Sequence, residues 1–190
     1  AVESPLGQHA AFRGRMPFTP IHFGPGVLVK AVAPARFSFT AFVLANVLID
    51  FEPLYHILRG DSPLHGPLHS LLGATATGVL AGVGLSLLSE ASKRVPAIDD
   101  ATGSLPIELQ AELRMLACTF GGAVGGTSHA YFDALIYDDF YPLAPFSLGN
   151  PMLGSIAPDV LVMGLLAAGL IGVALLAARV VVTRLNRRAG

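Results

Sequence analysis

Four histidines and three carboxylates occupy places in this sequence where an apolar chain has no ordinary use for charge. They are His22 in TPIHFGPG, Asp50 and Glu52 in LIDFEP, His65 and His69 in PLHGPLHSLLGA, and His129 and Asp133 in SHAYFD. Imidazole mixed with carboxylate suits zinc, manganese or iron(II) better than calcium or magnesium. His129 and Asp133 are four apart, which puts them on one face of a helix, where they can share an ion or bond each other. Asp50 can ligate an ion or bond a neighbouring helix. Asp50 and Glu52 point in nearly opposite directions in an unbroken helix, and Pro53 biases Glu52 away from helical geometry. Both therefore reach one site only if the helix ends near Phe51. Pro67 is compatible with a helix only in its first turn, so His65 belongs at or just before a helix start and His69 inside it.

The remaining polar candidates have plainer readings. His22 lies in a Gly- and Pro-bent approach to an apolar segment. His56 fits an interfacial position and His9 a tail. Asp138 and Asp139 in IYDDFYPLAPFS either support the ligands or belong to a wet loop, and the aromatic residues there fit an interfacial belt. Thr75 and Thr77 are expected to bond their own helix backbone. The single cysteine, Cys118, excludes an intramolecular disulfide and reads as a small packed residue.

The elements that must position these residues are apolar helices. Of the 190 residues, 53% are hydrophobic and 13% charged, and the mean hydropathy is +0.62. A soluble domain carries roughly 25% charge, so the composition points to a membrane. The net charge of −1 gives no reason to expect nucleic acid. The opening residues, AVESPLGQHAAFRGRMPF, lack the basic start and apolar core of a secretory signal. Segments Val160–Ala178 and Leu71–Leu88 are long enough to cross the roughly 30 Å hydrocarbon core. Phe37–Leu58 and Met115–Ile136 are also long enough but carry acids or histidine near their far ends. Ile21–Val32 is a half-span. The expectation is an all-α, polytopic transmembrane bundle of about four full spans plus a short N-terminal helix. Residues 1–15 form a tail, 16–188 a single domain, and about 89–114 a cytoplasmic loop whose PIELQAELRML forms a short amphipathic helix.

Charge orients the bundle. With the C-terminal arginines inside, alternation places nine basic residues in the cytoplasm (Lys30, Arg36, Lys93, Arg94, Arg114, Arg179, Arg184, Arg187, Arg188) and three outside (Arg13, Arg15, Arg59). The N-terminus is then outside and the C-terminus inside. Asp50 and His129 come to roughly 21 and 22 Å from the cytoplasmic side at 1.5 Å per residue. His22, His65 and His69 open segments at that same outer face. Ionisable residues at membrane depth face the bundle interior and mark function. With Arg59 the only base nearby, a cation is the economical partner.

The same stretches carry a resemblance. MPFTPIHFGPG, ANVLIDFEP, PLHGPLHSLLGA and GGTSHAYFDALIYDDFYPLAPFS resemble, in order and spacing over roughly residues 16–154, bacterial inner-membrane proteins known as membrane-bound metal-dependent hydrolases. That family is grouped, on distant similarity, with zinc-dependent phospholipase C and single-strand nucleases. The resemblance implies metal residues His22, Asp50, His65, His69, His129 and Asp133, with Glu52 in the second acidic position. Many members have Asp-x-Asp followed by His where this chain has DFEP, and a basic residue inside the histidine pair where it has HGPLH.

Two functional classes follow. One is metal-assisted hydrolysis, zinc first among the cofactors and manganese or iron next, with Glu52 or His65 as general base and a phosphoester or lipid head group as substrate. The other is a non-catalytic accessory subunit of a membrane complex, or a homo-oligomer, using its small-residue helix faces for partner helices. A proton or ion pathway would need polar residues along the whole depth, and the cytoplasmic halves are apolar.

Overall fold

The computed structural model describes residues 20–61, 63–93 and 107–189. The expected tail 1–15, with His9, lies outside the described residues, as does the centre of the expected cytoplasmic loop. A 3-10 turn, Pro20–His22, leads into α1 (Phe23–Val32). α2 (Phe39–Arg59) follows, then a second 3-10 turn, Pro67–His69, and α3 (Leu71–Ser92). The short α4 (Ile107–Glu112) precedes α5 (Met115–Ala134) and the long α6 (Pro158–Ala189). The described residues contain helices and no strand.

Local chemistry sets the helix limits. The Ser38 hydroxyl accepts from the Ala41 N–H at 3.1 Å and starts α2. Gly60, at φ 71°, ends it in the left-handed conformation, its N–H bonding back to the last turn. The Ser70 hydroxyl likewise accepts from the Gly73 N–H at 2.9 Å and starts α3. Pro158 opens α6, where its missing N–H costs nothing.

α2 runs unbroken through Pro53 to Arg59, close to the expected segment Phe37–Leu58, so the helix end near Phe51 that would turn Asp50 and Glu52 into one site does not occur. Pro53 is buried and forgoes one backbone bond without stopping the helix. His69 is not inside α3 but in the 3-10 turn before it, because Ser70 takes the capping position.

Glycine decides the packing. α5 carries GGAVGG, and its two glycine pairs face two different neighbours. A Cβ at Gly122 or Gly126 would fall on the carbonyl oxygens of Gly78 and Ala74 in α3. A Cβ at Gly121 would fall on that of Ser38, and one at Gly125 would lie 2.6 Å from that of Phe42 in α2. α5 therefore lies between α2 and α3 at backbone contact, the small-residue packing that lipid-solvated helices use. The hydroxyls of Thr75 and Thr127 meet at 2.7 Å across the α3–α5 seam, while Thr75 also bonds its own helix at Leu71. α1 packs on α6 by the same device: a Cβ at Gly24 would meet the Leu165 carbonyl.

Three helices, Phe39–Arg59, Leu71–Ser92 and Pro158–Asn186, are long and apolar enough to cross a membrane. Four spans were expected; the glycines, serine, threonine, histidine and aspartate of α5 dilute its hydropathy, and it is not among the three. Leu80, Leu88, Met163, Leu170 and Val173 point outward from α3 and α6. An apolar outer surface of this kind suits lipid rather than water.

Candidate metal centre

The six histidine and aspartate side chains expected to share a site converge at one end of the bundle. α2 and α5 bring Asp50, His129 and Asp133 near their C-terminal ends, and the turns before α1 and α3 bring His22 and His69. His65 comes from the loop just ahead of the second turn. All six are buried. Three groups have ligand atoms within 4.8 Å of one another: His22, His129 and Asp133; Asp50, His69 and His129; and His65, His69 and Asp133. Each pair of groups shares one member, so the donors form a continuous ring.

α5 supplies the centre of this ring. His129 Nε2 lies 3.2 Å from Asp50 Oδ1 and 3.1 Å from Asp133 Oδ2, yet neither oxygen is aligned for a hydrogen bond. His22 Nε2 lies 3.6 Å from Asp133 Oδ1. Its ring meets that of His129 edge-on, with centroids 4.9 Å apart.

The far side of each ring is anchored. Asn46 donates its amide to the Phe42 carbonyl at 2.8 Å, which turns its Oδ1 toward His129 Nδ1 at 3.0 Å. Asn46 thus gives His129 Nδ1 an acceptor and leaves Nε2 turned toward the two carboxylates. His69 Nδ1 donates to Glu52 Oε2 at 2.8 Å, and His69 Nε2 is buried with no hydrogen-bond partner. His65 Nδ1 donates to Asp139 Oδ1 at 2.8 Å. Metal-binding histidines characteristically donate the second ring N–H in this way. Phe140, fully buried, packs its ring against both His65 and His69.

Glu52 and Asp139 hold backbone as well as imidazole. Glu52 accepts the N–H groups of Gly66 and Leu68, both at 3.1 Å, and Asp139 accepts that of Leu64 at 2.9 Å. At 100° per residue, Glu52 sits on the flank of the α2 face that carries Asn46, Ile49, Asp50 and Pro53. It reaches the cluster because the 3-10 turn folds over that flank. Burial opposes the charge of Asp139, but the hydrogen bond and charge of His65, with the Leu64 N–H, hold its carboxyl down at about 2. Burial likewise pushes the Tyr137 hydroxyl up, with Asp133, Asp50 and Asp139 adding to it.

His56 stands apart from the ring, 3.6 Å from Asp61 on the rim, where Arg59 also lies over the Tyr55 ring. Asn46, Tyr137 and Phe140 escaped the sequence reading. Asn46 had a signal: an amide one helical turn before Asp50 in an apolar segment. Tyr137 and Phe140 had none, since loop aromatics also fit an interface belt.

The donor set fits a divalent ion. Two buried carboxylates lie within 3.2 Å of His129 Nε2, and the Nε2 atoms of His129 and His69 are buried without a hydrogen-bond partner. Buried charge costs several kcal/mol unless a cation or a proton compensates it. No family model, no curated protein and no solved structure matches this chain.

Proposed function

We propose that this protein is a membrane-embedded, metal-dependent hydrolase of the kind its motifs resemble, with one or two ions held among His22, Asp50, His65, His69, His129 and Asp133. One observation carries the reading: the Nε2 atoms of His69 and His129 are buried without a hydrogen-bond partner in a cluster that also holds Asp50 and Asp133. Zinc is the first choice of ion, since four imidazoles and two carboxylates match its preferences.

A divalent ion in such a site supplies Lewis-acid activation of water and of a phosphoryl oxygen. The chain's own residues bind and orient it. Asp50 and Asp133 contribute negative charge, and Asn46, Glu52 and Asp139 fix the imidazole tautomers. Glu52 and His65 are bases by residue type, but each is engaged here, Glu52 with three N–H donors and His65 with Asp139.

Membrane placement completes the proposal. α5 joins the three long helices as a fourth span, carried across by its neighbours rather than by its own hydropathy. The positive-inside tendency then puts the arginine-rich end of α6 in the cytoplasm and the site near the outer face of an inner membrane. A site at that depth favours a phosphoester on a lipid head group.

The test is metal content. Protein purified in detergent without chelator, measured by mass spectrometry of the elements, is expected to carry a transition metal. His129→Ala and Asp50→Ala are expected to lose most of it. A parent protein with no metal, before and after incubation with zinc, overturns the reading.

A further inference from the structure

The segment Leu64–His69 is held from two sides by carboxylates that belong to other elements. Glu52, from α2, takes His69 Nδ1 and the N–H groups of Gly66 and Leu68. Asp139, from the loop after α5, takes His65 Nδ1 and the N–H of Leu64. A third tie runs between the same loops, from the Leu71 N–H to the Pro142 carbonyl at 2.9 Å. Gly66 leaves room for this arrangement: a Cβ there would lie 2.6 Å from Glu52 Oε1.

We propose that Glu52 and Asp139 are paired positioning residues that form a carboxylate clamp on the histidine wall of the site. The proposal rests on the metal reading above and deepens it. The clamp does two things at once. It closes the backbone of a loop that contains Gly66 and Pro67, so that two ligands borne outside any α-helix hold a defined geometry. It also puts an anion behind each imidazole, which makes Nε2 a stronger donor than a neutral partner would.

The opposite wall is built differently. His129 has the neutral amide of Asn46 behind it and the charges of Asp50 and Asp133 in front. His65 and His69 thus have a carboxylate behind the ring as well as one among the ligand groups in front, whereas His129 has a neutral amide behind it. Glu52 fits a support role better than a ligand role because both its oxygens are already occupied by donors.

The test separates charge from shape. Glu52→Gln and Asp139→Asn keep the side-chain shape and one acceptor oxygen each, but remove the anion and replace the other oxygen by an NH2 group. With the full chain in detergent, affinity for zinc and for cobalt(II) is measured by competition with a chelator, and the visible spectrum of the cobalt(II) form is recorded. Each variant is expected to bind about 10–100-fold more weakly, with shifted cobalt absorption and unchanged helical circular dichroism. Asp139→Asn alone decides the matter if Glu52→Gln fails to fold. A parent that binds metal while the folded variants match it in affinity and spectrum overturns the clamp and leaves the metal reading standing. A parent that binds no metal overturns both.

Discussion

His69 and Glu52, seventeen positions apart in the chain, meet through Nδ1 and Oε2 at 2.8 Å. That contact joins α2 to the turn before α3 and aims the buried Nε2 of His69 at Asp50 and His129. It rests on close packing elsewhere in the bundle, because the carboxylate reaches the turn only while α2, α3 and α5 stay at backbone contact.

The glycine seam is therefore expected to be intolerant of even one methyl group. Gly122→Ala places a Cβ against the Gly78 carbonyl and should destabilise by about 1–3 kcal/mol, the usual range for overpacking. Gly84, in α3, has open space around it, and Gly84→Ala should be neutral or stabilise by up to about 1 kcal/mol. Unfolding in mixed detergent micelles with increasing dodecyl sulfate compares the two. Equal behaviour would contradict the packing described.

Asp139 makes stability depend on acid pH. Its folded carboxyl sits at about 2 against an ordinary 3.8. A depressed carboxyl contributes stability that is complete above its unfolded value and lost as pH falls through the folded one. The difference in melting temperature between the parent and Asp139→Asn should thus be full at pH 5 to 7. It should shrink as pH falls through about 4 to 2. A difference that stays constant across that window would count against the His65–Asp139 pair.

At the other end of the bundle, buried Glu112 ties three elements together. It accepts the Phe39 N–H at 2.8 Å and pairs with Lys30 at 3.1 Å, while Lys30 also donates to the carbonyls of Pro34 and Phe37. Glu112→Ala strands these donors and is expected to cost about 1–3 kcal/mol. Metal content should hold, since the residue lies far from the histidine cluster. Thermal unfolding alongside elemental analysis checks both halves.

Sidedness has a direct readout. Cysteines at Phe146, in the exposed loop after α5, and at Arg188, at the end of α6, are expected to label from opposite sides of sealed vesicles. Cys118 is buried and is expected to stay unlabelled. Labelling of both new cysteines from one side would refute the proposed orientation.

Much of this arrangement is visible in the sequence alone, because apolar periodicity and charge scarcity dictate helices in lipid. Intramembrane His129, Asp133 and Asp50 stand out where charge is expensive, and alternation of the segments already brings them to one end. Pair geometry is another matter. Pro53 biases the chain toward a helix end, but α2 runs past it to Arg59. His69 looks helical, but Ser70 takes the cap and leaves it in a turn that reaches Glu52. GGAVGG turns Gly121 and Gly125 to α2 and Gly122 and Gly126 to α3, a division that only the assembled bundle reveals. Asn46, Asp139 and Phe140 acquire their roles from residues up to 83 positions away. Local sequence determines where the apolar helices form. Only tertiary packing decides which face meets which, because a hydrogen bond or a ligand direction depends on ångström-scale placement of distant backbones.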